Sequence, residues 1–337
     1  IFQPPVDESG PFGYLAEKAS TNLALQSEDF TTTWTLANVT IAANAAVAPD
    51  GTTTMDRVVV DTTNGTHAVY QNGPTITADT NYTYSVYIKD DGAGFGGIRF
   101  GGGSNSISVV VNLSTGLVTD TKVGTSSGTI VATGCDDVGN GVYRVWISGS
   151  NSPGYGTFAV FASNAALPSW SLGDPTYTGV LGEDILVWGA QSELGTYPTS
   201  YIPTTTTAVL RNADVLIAGD MVTDAAGSGY AEASSIWATA DNTSYLLSTN
   251  SSGRLLAGNS GQADTSIIVY DGTTVATSPT GASFLNRPAP MASTWGDNLT
   301  AYKDGSGGTP KAYAGTMGTG SLNIGQRNTL GQQWNGT

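Results

Sequence analysis

Cysteine occurs once, at Cys135, and histidine once, at His67. A single thiol forms no internal disulfide, and a single imidazole builds neither a zinc site nor a histidine relay. Charge is sparse as well. Asp, Glu, Lys and Arg make up 12% of the 337 residues, and 12 basic against 27 acidic side chains leave a formal net charge of -15. Binding to a phosphate backbone or an anionic membrane needs clustered Lys and Arg, so neither nucleic acid nor membrane is an expected partner. No apolar run is long enough to span a bilayer, and residues 1–20 lack a basic stretch followed by an apolar core. Apolar stripes at the helical period of 3.6 are also missing. An acidic, Lys-poor surface confers solubility and suits a neutral ligand surface better than a polyanion.

What remains is a β composition rich in Gly, Ser, Thr, Asn and Asp. The stretch 81–92 (NYTYSVYIKDDG) alternates, with Tyr82, Tyr84, Val86 and Ile88 on one face and Thr83, Ser85, Tyr87 and Lys89 on the other. Further strands are expected at 55–61, 106–113, 141–149, 156–163 and 183–193, rich in Val, Ile, Tyr and Trp. The Pro- and Thr-rich stretch 201–212 (YIPTTTTAVLRN) reads as a connector, and strands resume at 228–239, 244–250, 265–272, 298–305 and 321–327. Asp271-Gly272 and Asp304-Gly305 are hairpin-turn pairs. The expected fold is all-β, with two antiparallel β-sandwich (jelly-roll) domains and an extended N-terminal arm: 1–20 the arm, 21–212 the first sandwich, 213–337 the second. The chain starts at Ile1 rather than Met and stops within the second module, which reads as an internal piece of a longer polypeptide.

Chemistry has few footholds, and no enzyme activity is expected. His67 reads as an ordinary strand or turn residue. Residues 124–128 (GTSSG) match the nucleophile-elbow pattern but sit in a Ser and Gly loop, and Gly92 to Gly97 match GxGxxG with no helix to follow. The doublets Glu28-Asp29, Asp136-Asp137 and Glu183-Asp184 point to opposite faces if extended, so none forms a catalytic carboxylate couple by itself. No cofactor is required. A structural calcium ion at a sandwich edge is a candidate, with Glu28, Asp29, Glu183 and Glu193 as its oxygen ligands. For a sugar ligand the site needs outward aromatic faces beside polar groups. In 141–149 (GVYRVWISG) the inward set is Tyr143, Val145 and Ile147, which leaves Arg144 and Trp146 outward. Tyr87 and Lys89 do likewise on their strand, and these four residues form the candidate ligand face.

The strings GYLAEKASTNLALQSEDFTTTW (13–34) and VWGAQSELGTYPTSYIPT (187–204) together resemble a module of bacteriophage virion proteins found in tail fibres and head fibres. In that family the first string opens a jelly roll similar to carbohydrate-binding modules and the second closes it, so the resemblance covers roughly residues 13–212. The remainder, through LTAYKDG (299–305), LNIGQR (322–327) and QWNGT (333–337), resembles a concanavalin A-like, laminin-G-type sandwich that in its family continues into one more strand. The resemblance implies a non-catalytic virion-surface protein that joins other virion proteins, attaches to a host-surface glycan and forms a homo-oligomer, a trimer by family expectation. It also leaves the Asn-x-Ser/Thr sequons, including those at Asn38, Asn64, Asn81 and Asn298, unmodified. Two other readings stand beside it: an accessory carbohydrate-binding region of a secreted glycan-degrading enzyme, and a purely structural capsid or tail spacer.

Overall fold

Strand alternation organises the first module. Tyr84, Val86 and Ile88 on Tyr82–Asp91 and Val145 and Ile147 on Val142–Ser150 are fully buried and share one core. The computed structural model describes residues 17–77, 80–124, 128–150, 154–214, 216–222, 226–233, 245–249, 254–258, 266–271, 273–281, 289–313 and 320–324. Among them there is no helix: the chain is all-β, built of antiparallel sheets. Most of the expected arm, the middle of the GTSSG string and the QWNGT string lie outside the described residues. Ser20–Arg211 forms one unit, and Asn212–Thr337 belongs to the other, as does the segment ending at Ala19.

The first unit is a sandwich of two six-stranded sheets. The front sheet runs in the order Thr129–Asp137, Val142–Ser150, Tyr82–Asp91, Asp184–Leu194, Met55–Val60 and Val39–Ala46. The back sheet runs Leu117–Val123, Asn105–Asn112, Phe95–Gly102, Gly154–Ser163, Ala68–Ile76 and Thr35–Ala37. Between them the front sheet's inward set meets Ile98, Phe100, Ile107, Val109, Phe158 and Val160 of the back sheet. The Phe100 and Phe158 rings lie nearly parallel with centroids 6.2 Å apart, and Tyr84 stacks on Phe158 at 5.4 Å. Gly92 to Gly97 spans the corner where the chain leaves the front sheet for the back, and a strand follows it rather than a helix.

The stretch expected as a connector is instead part of the first module. Val209–Arg211 pairs with Ser20–Asn22, while Ile202 and Thr204 are buried. Its Thr and Pro residues suppress a strand pattern, but its backbone finds partners across the fold: the N–H of Gln26 donates to Thr205 O at 2.7 Å, and Thr204 Oγ1 donates to Ala24 O at 2.6 Å.

The second unit has a six-stranded sheet and a smaller one. The first runs in the order Leu216–Val222, Gly320–Ile324, Tyr245–Thr249, Arg254–Gly258, Ile267–Tyr270 and Val275–Thr277. The second runs Gly227–Ala233, Ala289–Trp295, Asn298–Lys303 and Ser306–Gly307, with Lys311–Ala312 also paired to Asn298–Lys303. Leu247, Ile267, Val269, Met291, Trp295 and Leu299 form its core.

The outer face of the back sheet carries a cover, Trp170–Ser171 paired with Asp174–Pro175. Its turn places Leu172 and Gly173 at φ 51° and 88°, a left-handed pair that suits Gly and strains Leu. Buried groups hold the turn from beneath. Arg99 Nη1 donates to Leu172 O at 3.2 Å and to Asp174 Oδ2 at 2.8 Å, and Ser108 Oγ donates to Gly173 O at 2.6 Å. Burial pushes the Asp174 carboxyl up to about 6, and Arg99 pulls it back only in part. Folded Asp174 therefore holds its proton more tightly than an unfolded carboxyl, so its stabilising contribution is present at low pH and is lost as pH rises through about 6. Asp174→Asn removes that titration. Calorimetry should find the variant's Tm, relative to wild type, higher at pH 7.5 than at pH 5, and an identical gap at both pH values contradicts the assignment.

Candidate functional site

Cross-strand register assembles the outer face of the front sheet in rows. Asp136 stands opposite Arg144, Arg144 opposite Tyr87, and Tyr87 opposite Trp188. In the next row Gly134 faces Trp146, and Trp146 faces Ser85. Gly134 is required there by packing, since a Cβ would lie 2.3 Å from the Trp146 indole. The indole thus rests on the neighbouring strand's backbone, and its Nε1 donates to Asp136 Oδ2 at 3.1 Å. Trp146 is half-buried and Asp136 is exposed, which makes this pair the open end of the face.

The other end is roofed by the chain itself. Tyr87, Val142, Leu186 and Trp188 join Ala48 and Met55 in a second, smaller apolar cluster against which Tyr201 packs. The Trp188 and Tyr201 rings lie 4.6 Å apart, and Trp188 meets Tyr87 edge-on at 5.2 Å. Tyr87 and Arg144 point outward, as alternation requires, yet both are buried and not available as ligand contacts. Arg144 sits 5.4 Å above the Tyr87 ring and its Nη2 donates to Ser85 Oγ at 3.1 Å, so it spends its charge on its own sheet. Lys89 is half-buried. Of the four residues, Trp146 and Lys89 are half-buried, and Trp146 has an exposed polar partner in Asp136.

The four acids expected around calcium do not converge. No group of three or more His, Cys, Asp or Glu side chains is placed to hold a metal ion among the described residues. Glu193 is fully buried with both oxygens occupied: Oε1 accepts from Gln191 Nε2 at 2.6 Å and Thr199 N at 2.8 Å, and Oε2 accepts from Thr199 Oγ1 at 2.8 Å and from Ser20 Oγ. Glu28 accepts from Tyr201 Oη at 3.1 Å, and burial raises its pKa despite that bond. Asp29 closes an exposed local turn with Thr31 and Thr32, whose hydrogen bonds outweigh burial and hold its carboxyl low. Glu183 lies at the start of Asp184–Leu194, the opposite end of that strand from Glu193.

Around Glu193 a polar network ties together the two ends of the module. Asn22, fully buried, donates from Nδ2 to Ala190 O at 3.0 Å and Ile202 O at 2.8 Å, while its Oδ1 accepts from Ala24 N and Ser192 N, each at 3.0 Å. Gln191 Oε1 accepts from Ile202 N at 2.7 Å. Ser27 Oγ shares a 2.6 Å bond with Tyr201 Oη and accepts from Thr204 N at 2.8 Å.

The remaining chemical candidates are quiet. Burial, reinforced by Asp136 and Asp137, pushes the Cys135 thiol up to about 12, so it is protonated at neutral pH. His67 is fully buried. Gly134 and Asp136, which seat and bond Trp146, went unnoticed in the sequence because only register reveals them. Since Glu193 serves hydrogen bonds rather than a cation, Glu193→Gln should cost about 2–4 kcal/mol in urea unfolding, by analogy with lost bonds to a buried charged group. That cost should be the same in EDTA and in excess calcium; a calcium-dependent cost contradicts the structural role.

No protein-family model matches the chain, and no curated protein matches it. Among solved structures it is similar to mouse laminin alpha1 chain domains LG4-5, at 9% identity and a TM-score of 0.21, over 82% of this chain and 84% of that one.

Proposed function

We propose that the chain is a non-catalytic segment of a virion fibre or decoration protein, displaying β-sandwich modules that attach to a neutral host-surface glycan. The observation that supports a ligand contact is Trp146. It is an indole seated on Gly134 with a carboxyl group on its Nε1, at an open end of the face away from the Trp188 and Tyr201 roof. A partly wet indole offers the apolar ring face that a pyranose stacks against, and Asp136 offers an acceptor to a hydroxyl or amino group. Asp136 and Asp137 beside it, within a chain of net charge -15, favour neutral or amino sugars over sialylated or uronic ones. The non-catalytic reading draws on a thiol held protonated and an imidazole sealed from solvent. The virion setting and a trimeric assembly rest on the sequence resemblance.

Glycan-array binding followed by calorimetric titration tests the proposal. Trp146→Ala should weaken binding to a neutral glycan by about 1–3 kcal/mol, the range for a central aromatic contact, while Tm stays nearly constant. Undiminished binding by the variant removes Trp146 from the site, and a preference for acidic glycans contradicts the ligand class.

A further inference from the structure

The chain's sole imidazole is fully buried beside a minimal two-stranded pair, Asn64–Gly65 with Tyr177–Thr178. The ring packs on Tyr177 with centroids 4.6 Å apart. Neither His67 nitrogen has a hydrogen-bond partner; Nε2 stands 3.6 Å from Asp61 Oδ1. Two more buried polar atoms close by, Tyr177 Oη and Glu183 Oε2, are likewise without partners. The chain after Tyr177 lies directly on the ring, since a Cβ at Gly179 would be 2.5 Å from His67 Nε2. The backbone bonds that hold this segment are the two-residue pair, Gly179 N donating to Thr63 O at 3.1 Å, and Glu183 N donating to Val180 O at 3.1 Å.

The charges around the ring are all acidic. Asp61, on the turn after Met55–Val60, faces Nε2 and is half exposed. Glu183 and Asp184, at the start of Asp184–Leu194, act on Tyr177, whose phenol is held above its usual range first by burial and then by them. An imidazolium would gain a partial, water-screened pairing with Asp61 and some support from the Asp61 and Thr63 backbone, and burial outweighs these gains.

We propose that His67 is a proton-operated latch: neutral, it lets residues 177–182 close over it; protonated, it lifts that segment and opens Tyr177 and Glu183 to water. Burial pulls the imidazole pKa below its ordinary value, and Asp61 offsets this only in part. The closed segment is therefore stabilised above the ordinary imidazole pKa, and that stability is lost as pH falls through the depressed folded value.

The full chain tests this directly, because one histidine gives one set of imidazole resonances. NMR titration should place the His67 midpoint below about 6.5. Hydrogen exchange, corrected for its intrinsic pH dependence, should rise severalfold for residues 176–183 between pH 7.5 and pH 5 and stay constant for Gly154–Ser163. His67→Phe keeps the ring packing without the proton and should abolish the response; His67→Gln serves the same purpose if the Phe variant does not fold. A midpoint at or above about 6.5, an unchanged exchange rate, or a response that survives in the variant that folds overturns the latch.

Discussion

Asn22 and Gln191 grip the backbone of one residue from two sides: Asn22 Nδ2 donates to the Ile202 carbonyl, and the Ile202 N–H donates to Gln191 Oε1. Ile202 lies 180 residues from Asn22 along the chain, so the contact, with the neighbouring pairing of Ser20–Asn22 and Val209–Arg211, closes a loop of nearly the whole first module. Glu193 extends the closure to Ser20 and Thr199, and Ser27 extends it to Tyr201 and Thr204. Tyr201, once fixed, packs on Trp188 and helps roof that end of the front sheet. The open position of Trp146 at the other end is thus a consequence of where the network ends.

The two outer faces solve the burial of charge differently. At Glu193 four donors surround one carboxyl group, with no cationic side chain among them, and leave neither oxygen without a partner. At Asp174 a guanidinium supplies the pairing, but one carboxylate oxygen stays unbonded and the carboxyl is held up near 6. The network at Glu193 is therefore the more fully bonded joint, and the cover over the back sheet keeps an unbonded oxygen.

Strands with alternating Val, Ile and aromatic residues were legible in the sequence, and so was the inward phase of Tyr143, Val145 and Ile147. Strands such as Phe95–Gly102 and Thr129–Asp137 were not, because Gly, Thr and Ala carry little β signal; Gly97 sits in its strand because a Cβ there would run into the Val109 carbonyl oxygen and the Phe161 ring. Direction was readable where exposure was not. Tyr87 and Arg144 face outward, but Tyr87 is covered by residues far along the chain, which alternation cannot see, and Arg144 lies over Tyr87. Glu28 and Glu193 misled for a related reason: a carboxylate suits calcium or a set of N–H and O–H donors equally well, and only the folded partners decide. The two strings behind the family resemblance contain Asn22, Ser27, Gln191, Glu193 and Thr199, so the closing network was present in the sequence without its pairing.

The central claim is that one cooperative network joins the module's two ends, and a double-mutant cycle between Asn22→Ala and Gln191→Ala measures it most directly. The pair holds the backbone of one residue, Ile202, so each single change should cost about 2–4 kcal/mol in urea unfolding and the double change should fall short of their sum by about 1 kcal/mol or more. Costs that add to within about 0.5 kcal/mol, or a single change that costs less than that, contradict it.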